Sequence, residues 1–452
     1  MAEGIRCMLT TAAGWLNAKL QGADVEFFGV STDSRSIEPG MLFVALHGPN
    51  HDGHDHLEQA HAAGAVAALV ERPLAIDMPQ LVVADTRLAL GQLAAAWRRQ
   101  LQTPLVAVTG SNGKTTVKEM CAAILSRAGS TLATRGNLNN DIGVPLTLLR
   151  LSQEHRFGVI EMGANHAGEI AYLTQLAAPQ VAIITNAAPA HLEGFGSVEG
   201  VARAKGEIFS GLSDNGVAVI NADDDYAGLW RELSSGSRTL CFGLAKPADV
   251  GARGLGDVHG SELEVLTPLG SFHLNLPLAG RHNIMNALAA ITAALALNID
   301  FSDIAAGLES LSVVKGRLTM RAGLNGATIL DDSYNANPAS LHAGLEVLAS
   351  CRGVRLLALG DMGELGDNAE ALHRQAGNDA RAMGIDGLYA TGRLSRRASE
   401  AFGENGHFYE QQQQLVEALL PQLNKEVTVL VKGSRSSRME RVVEALCAQG
   451  EM

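Results

Sequence analysis

A strand, a glycine-containing turn and a helix that begins with lysine follow one another at residues 105–116, and they limit the possible folds more than any other feature. The strand reads Leu-Val-Ala-Val-Thr, the turn Gly-Ser-Asn-Gly and the helix start Lys-Thr-Thr. Two glycines allow the backbone to direct its N–H groups at a polyphosphate. The positive N-terminal end of the helix also attracts a polyphosphate. Lys114 adds a charge for the β- and γ-phosphates, and the Thr115 hydroxyl suits Mg²⁺. The sequence therefore predicts an ATP-binding P-loop within an α/β domain.

The motif departs from the general P-loop at one position. Val108 stands where the first glycine of G-x-x-x-x-G-K-[ST] is expected, so an ordinary strand–turn–helix is the alternative. The residues that follow favour the P-loop, because their apolar side chains recur with a helical period and Gly129 is a suitable helix stop. The apolar positions of this helix are Val117, Met120, Cys121, Ile124, Leu125 and Ala128.

Chain length, composition and net charge limit the kinds of protein that this sequence can encode. A chain of 452 residues suggests about three domains. No apolar run is long enough to span a bilayer, the N-terminus lacks the pattern of a signal peptide, and five dispersed cysteines suit a reducing compartment. A net charge of −13 argues against a nucleic-acid partner. We expect a cytoplasmic monomer with no stable membrane insertion.

The order of apolar runs predicts an α/β protein of three domains. Residues 1–84 form a small mixed α/β domain, residues 85–312 a central P-loop domain with a mainly parallel sheet, and residues 313–452 a Rossmann-like α/β domain. The stretch 245–275 is expected to be an antiparallel excursion or a long loop. The clearest predicted strands are 158–162, 181–186, 217–221, 354–360, 387–391 and 427–431.

Polar residues at strand ends are candidates for chemistry, because ligands of open α/β sheets bind beyond the carboxyl ends of the strands. Glu161 ends a predicted strand and is a candidate Mg²⁺ ligand, with a solvated carboxylate as the alternative. His191 follows the next strand, and on spacing alone a structural role is favoured for it. Lys205 reads as an ordinary helix lysine.

A second polar cluster, His-Asp-Gly-His-Asp-His at residues 51–56, contains enough potential ligands for a metal ion. The segment is short and turn-like, so hydrogen bonding to a substrate suits it equally well, and we do not predict a metal there.

Ten short motifs are distributed along nearly the whole chain. They lie at residues 31–35, 40–46, 109–116, 137–145, 161–166, 191–196, 280–287, 331–338, 360–362 and 432–435. Their order and spacing are specific, and together they resemble the Mur ligase family, the ATP-dependent amide ligases of peptidoglycan precursor synthesis.

The resemblance implies a reaction and the residues that carry it out. It implies a ligase that adds D-alanyl-D-alanine to UDP-N-acetylmuramoyl-tripeptide through an acyl phosphate, with ATP and Mg²⁺. Lys114, Glu161, His191 and a carbamylated, CO₂-derived Lys205 would be catalytic, with Thr115, Glu161, His191 and Lys205 at the metal. The implied ATP-binding residues are Thr109, Gly110, Ser111, Asn112, Gly113, Lys114, Thr115, Thr116, Asn283, Asn286, Arg317 and Asp332. The implied substrate-binding residues are Ser34, Arg35, Asn50, Asn137, Asn139, Asn140 and Asn165.

The chain departs from the family's sequence pattern at one position, and the sequence leaves two alternative functions open. Relatives often have Pro-Gly-Arg where this chain has Lys315-Gly316-Arg317, so the hinge before the arginine is expected to be less rigid. A sister ligase that adds diaminopimelate or lysine, or a folylpolyglutamate synthase, is one alternative, although the Asp-Asn-Pro-Arg of diaminopimelate-adding relatives is absent. A nucleotide-dependent switch is the other, and a complete substrate-binding first domain argues against it.

Overall fold

The N-terminal part of the chain forms a five-stranded sheet with two small strand pairs beside it. The computed structural model describes residues 4–189, 192–258, 260–311 and 316–447. The five-stranded sheet has the order β2-β9-β8-β5-β4, while β1 pairs with β3 and β6 with β7. The strands are β1 (Arg6–Met8), β2 (Lys19–Gln21), β3 (Glu26–Phe28), β4 (Val30–Ser31), β5 (Leu42–Val44), β6 (His47–Gly48), β7 (His51–Asp52), β8 (Ala67–Val70) and β9 (Gln80–Val82). The helices are α1 (Leu9–Leu16), α2 (Leu57–Ala62) and α3 (Thr86–Arg98).

The central part is built on a six-stranded parallel sheet of order β11-β12-β10-β13-β14-β15. Its strands are β10 (Leu105–Thr109), β11 (Thr131–Ala133), β12 (Phe157–Glu161), β13 (Val181–Ile184), β14 (Val217–Asn221) and β15 (Arg238–Phe242). An antiparallel sheet follows, formed by β16 (Gly251–Asp257), β17 (Gly260–Thr267) and β18 (Gly270–Leu276). The helices are α4 (Lys114–Ala128), α5 (Gly143–Leu149), α6 (Glu169–Ala177), α7 (Leu192–Phe195), α8 (Val198–Gly206), α9 (Ala227–Leu233), α10 (Arg281–Ala296) and α11 (Phe301–Glu309).

Two hydrophobic cores cover the two faces of this central sheet. Along β10, Leu105 and Ala107 face one core, and Val106 and Val108 face the other, as the period of two in a strand requires. The first core continues into the N-terminal sheet, while the second packs α4 and α10 against the strands. Both faces are therefore covered, and functional side chains can reach a ligand only at the sheet edges and strand ends.

The C-terminal part carries a second six-stranded sheet of order β19-β20-β24-β21-β22-β23, in which only β19 is antiparallel. Its strands are β19 (Thr319–Ala322), β20 (Thr328–Asp332), β21 (Val354–Leu359), β22 (Gly387–Thr391), β23 (Gly406–Tyr409) and β24 (Val427–Lys432). The helices are α12 (Pro338–Ser350), α13 (Ala369–Ala382), α14 (Arg396–Phe402), α15 (Gln412–Leu419) and α16 (Glu440–Leu446).

The predicted fold class is confirmed: the chain is a three-domain α/β protein with a parallel central sheet. The stretch 245–275 contains the antiparallel sheet β16-β17-β18. The boundaries at 84/85 and 312/313 stay predictions, and residues 312–315 lie outside the described part. Within the described ranges, no helix combines the length and the apolar character that crossing a membrane requires.

Candidate active site

The predicted P-loop joins β10 to α4, and two glycines give it its shape. Gly110 has φ +149°, and a Cβ there would lie 1.9 Å from Thr185 Oγ1. Gly113 has φ +80°, and its Cβ would lie 2.3 Å from Asn286 Oδ1. Since real contacts of a Cβ stay beyond about 3 Å, neither position accepts a side chain without movement of its neighbours.

Residues after β13 hold the P-loop in this conformation. Asn186 accepts the Ser111 N–H through its backbone oxygen (3.0 Å) and the Asn112 N–H through Oδ1 (3.0 Å). The Thr185 hydroxyl donates to the Asn112 carbonyl at 2.6 Å. Lys114 Nζ donates to the Gly110 carbonyl at 2.7 Å, across the loop. The loop is therefore ordered by its own domain, without a phosphate present.

A cavity of about 620 Å³ lies between the central and C-terminal domains, and most of the predicted ligand-binding residues line it. Thr109 and Gly110 do not line it, although the Gly110 carbonyl holds Lys114. The predicted residues that line the cavity are Ser111, Asn112, Gly113, Lys114, Thr115, Thr116, Asn139, Asn140, Glu161, Asn165, Lys205, Asn283, Asn286, Arg317 and Asp332.

Glu161 is the last residue of β12, and hydrogen bonds hold it in a fixed position beside the cavity. Its side chain is 2 % exposed, and its backbone N–H donates to Thr134 Oγ1 at 2.9 Å. Asn139 Nδ2 donates to Oε1 at 2.8 Å, whereas the buried Oε2 has no hydrogen-bond partner within the described structure. A buried carboxylate oxygen without a partner is costly. The carboxylate lines the cavity and is a preferred Mg²⁺ ligand, so these residues fit that ion.

Lysine amines line the same cavity, among them those of Lys205, which is buried, and Lys114, which is half-buried. Lys205, on α8, is 2 % exposed, and its Nζ lies 5.3 Å from the centroid of the Phe195 ring. Burial, together with the charge of Lys114, lowers the pKa of Lys205 to about 7. Burial also lowers the pKa of Lys114, and the charge of Arg317 lowers it further, whereas Glu161 raises it. The cavity thus concentrates positive charge that an anionic ligand would offset.

The C-terminal domain contributes polar side chains that reach the P-loop. Arg317 Nη2 donates to Thr115 Oγ1 at 3.2 Å, and Asn337 Nδ2 donates to Asn112 Oδ1 at 2.7 Å. These contacts join the two domains across the cavity. They also place a second cation, besides Lys114, at the start of α4.

Asp332 and Lys432 form a buried ion pair where β20 and β24 end side by side. Lys432 Nζ also donates to the Asn335 carbonyl at 3.1 Å. Lys432, Tyr334 and Asn337 also line the cavity, and no individual role was predicted for them from the sequence. The rule that selected Glu161, a polar residue at the end of an apolar strand, would also have selected Lys432.

Two predicted ATP-binding residues, Asn283 and Asn286, lie on the first turns of α10. Asn283 Nδ2 donates to the Ala279 carbonyl at 2.8 Å, and Asn286 Nδ2 donates to Asn283 Oδ1 at 3.3 Å. The neighbouring His282 lines the cavity with its Nδ1 buried and without a partner in the described ranges. Burial lowers the pKa of His282, so its imidazole is neutral at pH 7.

The remaining predicted substrate-binding residues lie away from this cavity. Ser34 Oγ donates to Gln59 Oε1 at 2.9 Å, and the exposed Arg35 pairs with Asp33 at 2.7 Å. Asn50 is exposed in the turn between β6 and β7, and Asn137 is exposed in the loop after β11. Their roles stay predictions. His191 lies outside the described residues.

The histidine-rich segment at residues 51–56 is tied into the N-terminal domain. Asp52 Oδ1 lies 2.6 Å from His54 Nδ1, and its other oxygen accepts from Arg72 at 2.8 Å. His54 Nε2 accepts the Glu71 N–H at 2.9 Å. Among the described residues, no group of three or more His, Cys, Asp or Glu side chains is arranged to hold a metal ion.

Three family models match this chain. The Mur ligase family catalytic domain matches residues 26–98, the Mur ligase middle domain residues 108–294, and the Mur ligase glutamate ligase domain residues 316–435. They follow one another in the order of the three parts of the fold.

Two relatives that match this chain over nearly their whole length have the same enzyme name. The UDP-N-acetylmuramoyl-tripeptide–D-alanyl-D-alanine ligase of Escherichia coli is 50% identical over 438 residues, which cover 96% of this chain and 97% of that protein. The enzyme of the same name from Haemophilus influenzae is 44% identical over 95% of this chain and 96% of its own length.

Solved structures agree. A crystal structure of MurF from Acinetobacter baumannii has a TM-score of 0.93 and 38% identity, covering 98% of this chain and 99% of that one. MurF ligase from Thermotoga maritima, in complex with ADP, has a TM-score of 0.82 and 30% identity, covering 92% and 96%. A folylpolyglutamate synthase from Mycobacterium tuberculosis, at 18% identity and a TM-score of 0.64, shares the fold alone.

Proposed function

This chain belongs to the Mur ligase family, and from that premise we propose that it joins D-alanyl-D-alanine to UDP-N-acetylmuramoyl-tripeptide. The reaction consumes ATP and releases ADP and phosphate, as a step of peptidoglycan precursor synthesis. The observation that carries the proposal is the single cavity in which Lys114, Glu161 and Arg317 meet. The full-length relatives whose names state this reaction specify the two substrates.

The chemistry follows from the charges that surround the cavity. Lys114 and Arg317 neutralise the triphosphate, so that a carboxylate of the acceptor can approach the γ-phosphorus. The oxygen–phosphorus bond to ADP breaks and an acyl phosphate forms. The dipeptide amine then attacks the acyl carbon, the new amide bond forms with loss of a proton, and phosphate leaves. Each step needs mainly positioning and stabilisation of negative charge.

Mg²⁺ is the metal that the site fits. Glu161, through the Oε2 that has no partner among the described residues, and the hydroxyl of Thr115 would hold it, and His191 is proposed as a further ligand. The ion would supply neutralisation of the β- and γ-phosphates. The protein's own part is to hold Glu161 rigidly through Asn139 and Thr134.

Exclusion of water is the second requirement, because water would destroy an acyl phosphate. The cavity is lined on one side by the P-loop and on the other by residues from the segment 317–344. We place the domain boundaries at 84/85 and 312/313, so that the third domain supplies Arg317 and Asp332 as one body. Rotation of this body then opens and closes the cavity.

We further propose that Lys205 is carbamylated. Its amine is buried beside the P-loop lysine, in a cavity rich in positive charge. Attack of the neutral amine on CO₂ forms an N–C bond while one C–O π bond becomes a lone pair on oxygen, and the nitrogen releases one proton. The neutral amine thus becomes an anionic carbamate that could bind Mg²⁺. Protein equilibrated with ¹³C-labelled bicarbonate and Mg²⁺ should show a carbamate carbon resonance that a Lys205→Arg variant lacks. Equal spectra for the two proteins would contradict this proposal.

The acceptor is proposed to extend from the cavity to the N-terminal domain. Ser34, Arg35 and Asn50 would bind its uridine-diphosphate end, and Asn137, Asn139, Asn140 and Asn165 its middle. The exposed guanidinium of Arg35 supports a contact with phosphate. Five free cysteines support the cytoplasm as the location.

Phosphate release tests the proposed reaction. UDP-N-acetylmuramoyl-tripeptide with D-alanyl-D-alanine should give rapid release, and single amino acids in place of the dipeptide should not. Rapid release with diaminopimelate would instead indicate a sister ligase. ATP hydrolysis at the full rate without any acceptor would indicate a nucleotide switch.

A further inference from the structure

We propose that Tyr334 is a positioning residue that holds the Arg317 guanidinium at the nucleotide end of the cavity. The guanidinium carbon lies 4.2 Å from the centroid of the Tyr334 ring. The Tyr334 N–H also donates to the Gly316 carbonyl at 3.1 Å, so one residue contacts both the arginine and the backbone before it. The inference deepens the proposed function, since it takes the cavity to be the ATP site.

The segment before Arg317 is shaped to fit against Tyr334. Gly316 has φ +76°, a region that side chains rarely adopt. A Cβ at this position would lie 3.2 Å from Tyr334 Cβ and 3.3 Å from Tyr334 N. The positive φ and the close approach of the two backbones therefore both favour glycine at this position. The close approach fixes the start of the arginine side chain to β20 and the residues that follow it, within the C-terminal domain.

The ring then restricts the rest of the side chain. An arginine has four rotatable bonds, and immobilising them costs conformational entropy that a contact must offset. A guanidinium stacked over an aromatic face gains an electrostatic attraction that grows as water is excluded. The stacked contact of Tyr334 with the guanidinium therefore offsets part of that cost.

The held guanidinium points at the phosphate end of the P-loop. Its Nη2 donates to Thr115 Oγ1 at 3.2 Å, at the position that serves the β- and γ-phosphates. Its Nε is buried and has no hydrogen-bond partner in the part of the chain that the structure describes. A donor that is both fixed and unused can bind an incoming phosphate oxygen. ATP has one phosphate more than ADP, so we infer that Tyr334 favours the triphosphate.

Other contacts of Tyr334 do not explain its position. In the described chain, its hydroxyl takes part in no recorded hydrogen bond, so the ring face is the part that matters here. Arg435 also approaches the ring, at 5.9 Å, but its guanidinium pairs with Glu440 at 3.2 Å. The contact that matters is therefore the one between the face of the Tyr334 ring and the Arg317 guanidinium.

Graded fluorination of the ring tests this without removing its volume. The full chain would be prepared with Tyr334→Phe and with phenylalanines of increasing ring fluorination at the same position. Fluorine withdraws electron density from the ring face and so weakens its attraction for a cation. Calorimetry would measure the affinity for a non-hydrolysable ATP analogue and for ADP. We expect Tyr334→Phe to retain affinity for the analogue. The most fluorinated form should lose about 3- to 30-fold, with little change for ADP.

Two matched controls separate positioning from a structural role. The same series at Tyr409, whose ring stacks on Tyr389 in the same domain, should change neither affinity. In an Arg317→Ala background, fluorination at position 334 should have no further effect, because the two residues act as a unit. Equal losses for both nucleotides, or a loss that persists without Arg317, would overturn the inference. If the unmodified protein binds neither nucleotide, the proposed function itself fails.

Discussion

Glu161→Gln should abolish most turnover while leaving the protein folded. The structure separates the two oxygens of this carboxylate: Asn139 donates to Oε1, and Oε2 has no partner in the described ranges. Glutamine keeps an oxygen for Asn139 but places an amide nitrogen, a donor, where Oε2 now lies. The anionic charge that would bind the metal is lost, although the side chain keeps its size.

The size of the effect follows from comparable sites. Removing one preorganised group that stabilises charge costs about 3–4 kcal/mol, so kcat should fall about 10²- to 10³-fold. Stability should not fall, because a buried amide costs less to desolvate than a buried carboxylate. Thermal unfolding of the variant should therefore have a midpoint at least as high as that of the natural protein.

The assay is phosphate release at saturating substrates, with a titration of Mg²⁺ for each variant. The matched control is Glu199→Gln, on the exposed surface of α8, where an i,i+4 pair with Arg203 is worth about 0.3–0.5 kcal/mol. The control should turn over normally. A folded Glu161→Gln protein with near-normal kcat and an unchanged Mg²⁺ requirement would refute the role of Glu161.

Three further predictions concern charge and closure. Lys114→Met should reduce turnover by a few powers of ten with the fold intact, since the Lys114 charge serves the phosphates; a tenfold loss or less in a folded protein would contradict its role. Burial lowers the folded-state pKa of Lys205 to about 7 from 10.5, so the unfolded chain binds more protons between these values and stability should rise with pH across that window. Lys205→Met should therefore be more stable than the natural protein at pH 7 in CO₂-free buffer, by a margin that shrinks toward pH 10.5 in denaturant titrations; a constant margin would contradict the pKa shift. Small-angle scattering should show a smaller radius of gyration with ATP and acceptor than without them, and an unchanged profile in an active preparation would contradict closure by the third domain.

Local patterns were sufficient to predict the P-loop and the central sheet. The predicted helix with its stop at Gly129 corresponds to α4, Lys114–Ala128, because its apolar residues recur with the helical period. The strands β12, β13 and β14 were predicted because each is a short, continuous apolar run between helices. These features depend on residues close together in the chain.

The shortest and edge strands were not predicted. β11 has three residues, Thr131–Ala133, which is too few for a period to be recognised. β15 begins with the exposed Arg238 and so lacks the continuous apolar run of the central strands. Such strands are defined by their neighbours in the sheet, and a local pattern carries little information about them.

The hydrogen bonds and ion pairs between side chains of the site could not be predicted from the sequence either. Asn139 was predicted to bind substrate, yet in the structure it donates to Glu161, 22 positions away. Asp332 was predicted to bind ATP, and its carboxylate pairs with Lys432, 100 positions away. Strand order decides both contacts, since β20 and β24 are neighbours only after the sheet has formed.

The most direct test of the account is whether ATP consumption depends on both other substrates. Purified protein would be given ATP and Mg²⁺ with UDP-N-acetylmuramoyl-tripeptide, with D-alanyl-D-alanine, or with both, and phosphate and the peptide product would be measured together. The account predicts rapid phosphate release only with both, in a one-to-one ratio with the extended peptide. Phosphate release at the full rate without the acceptor, or without any peptide product, would contradict it.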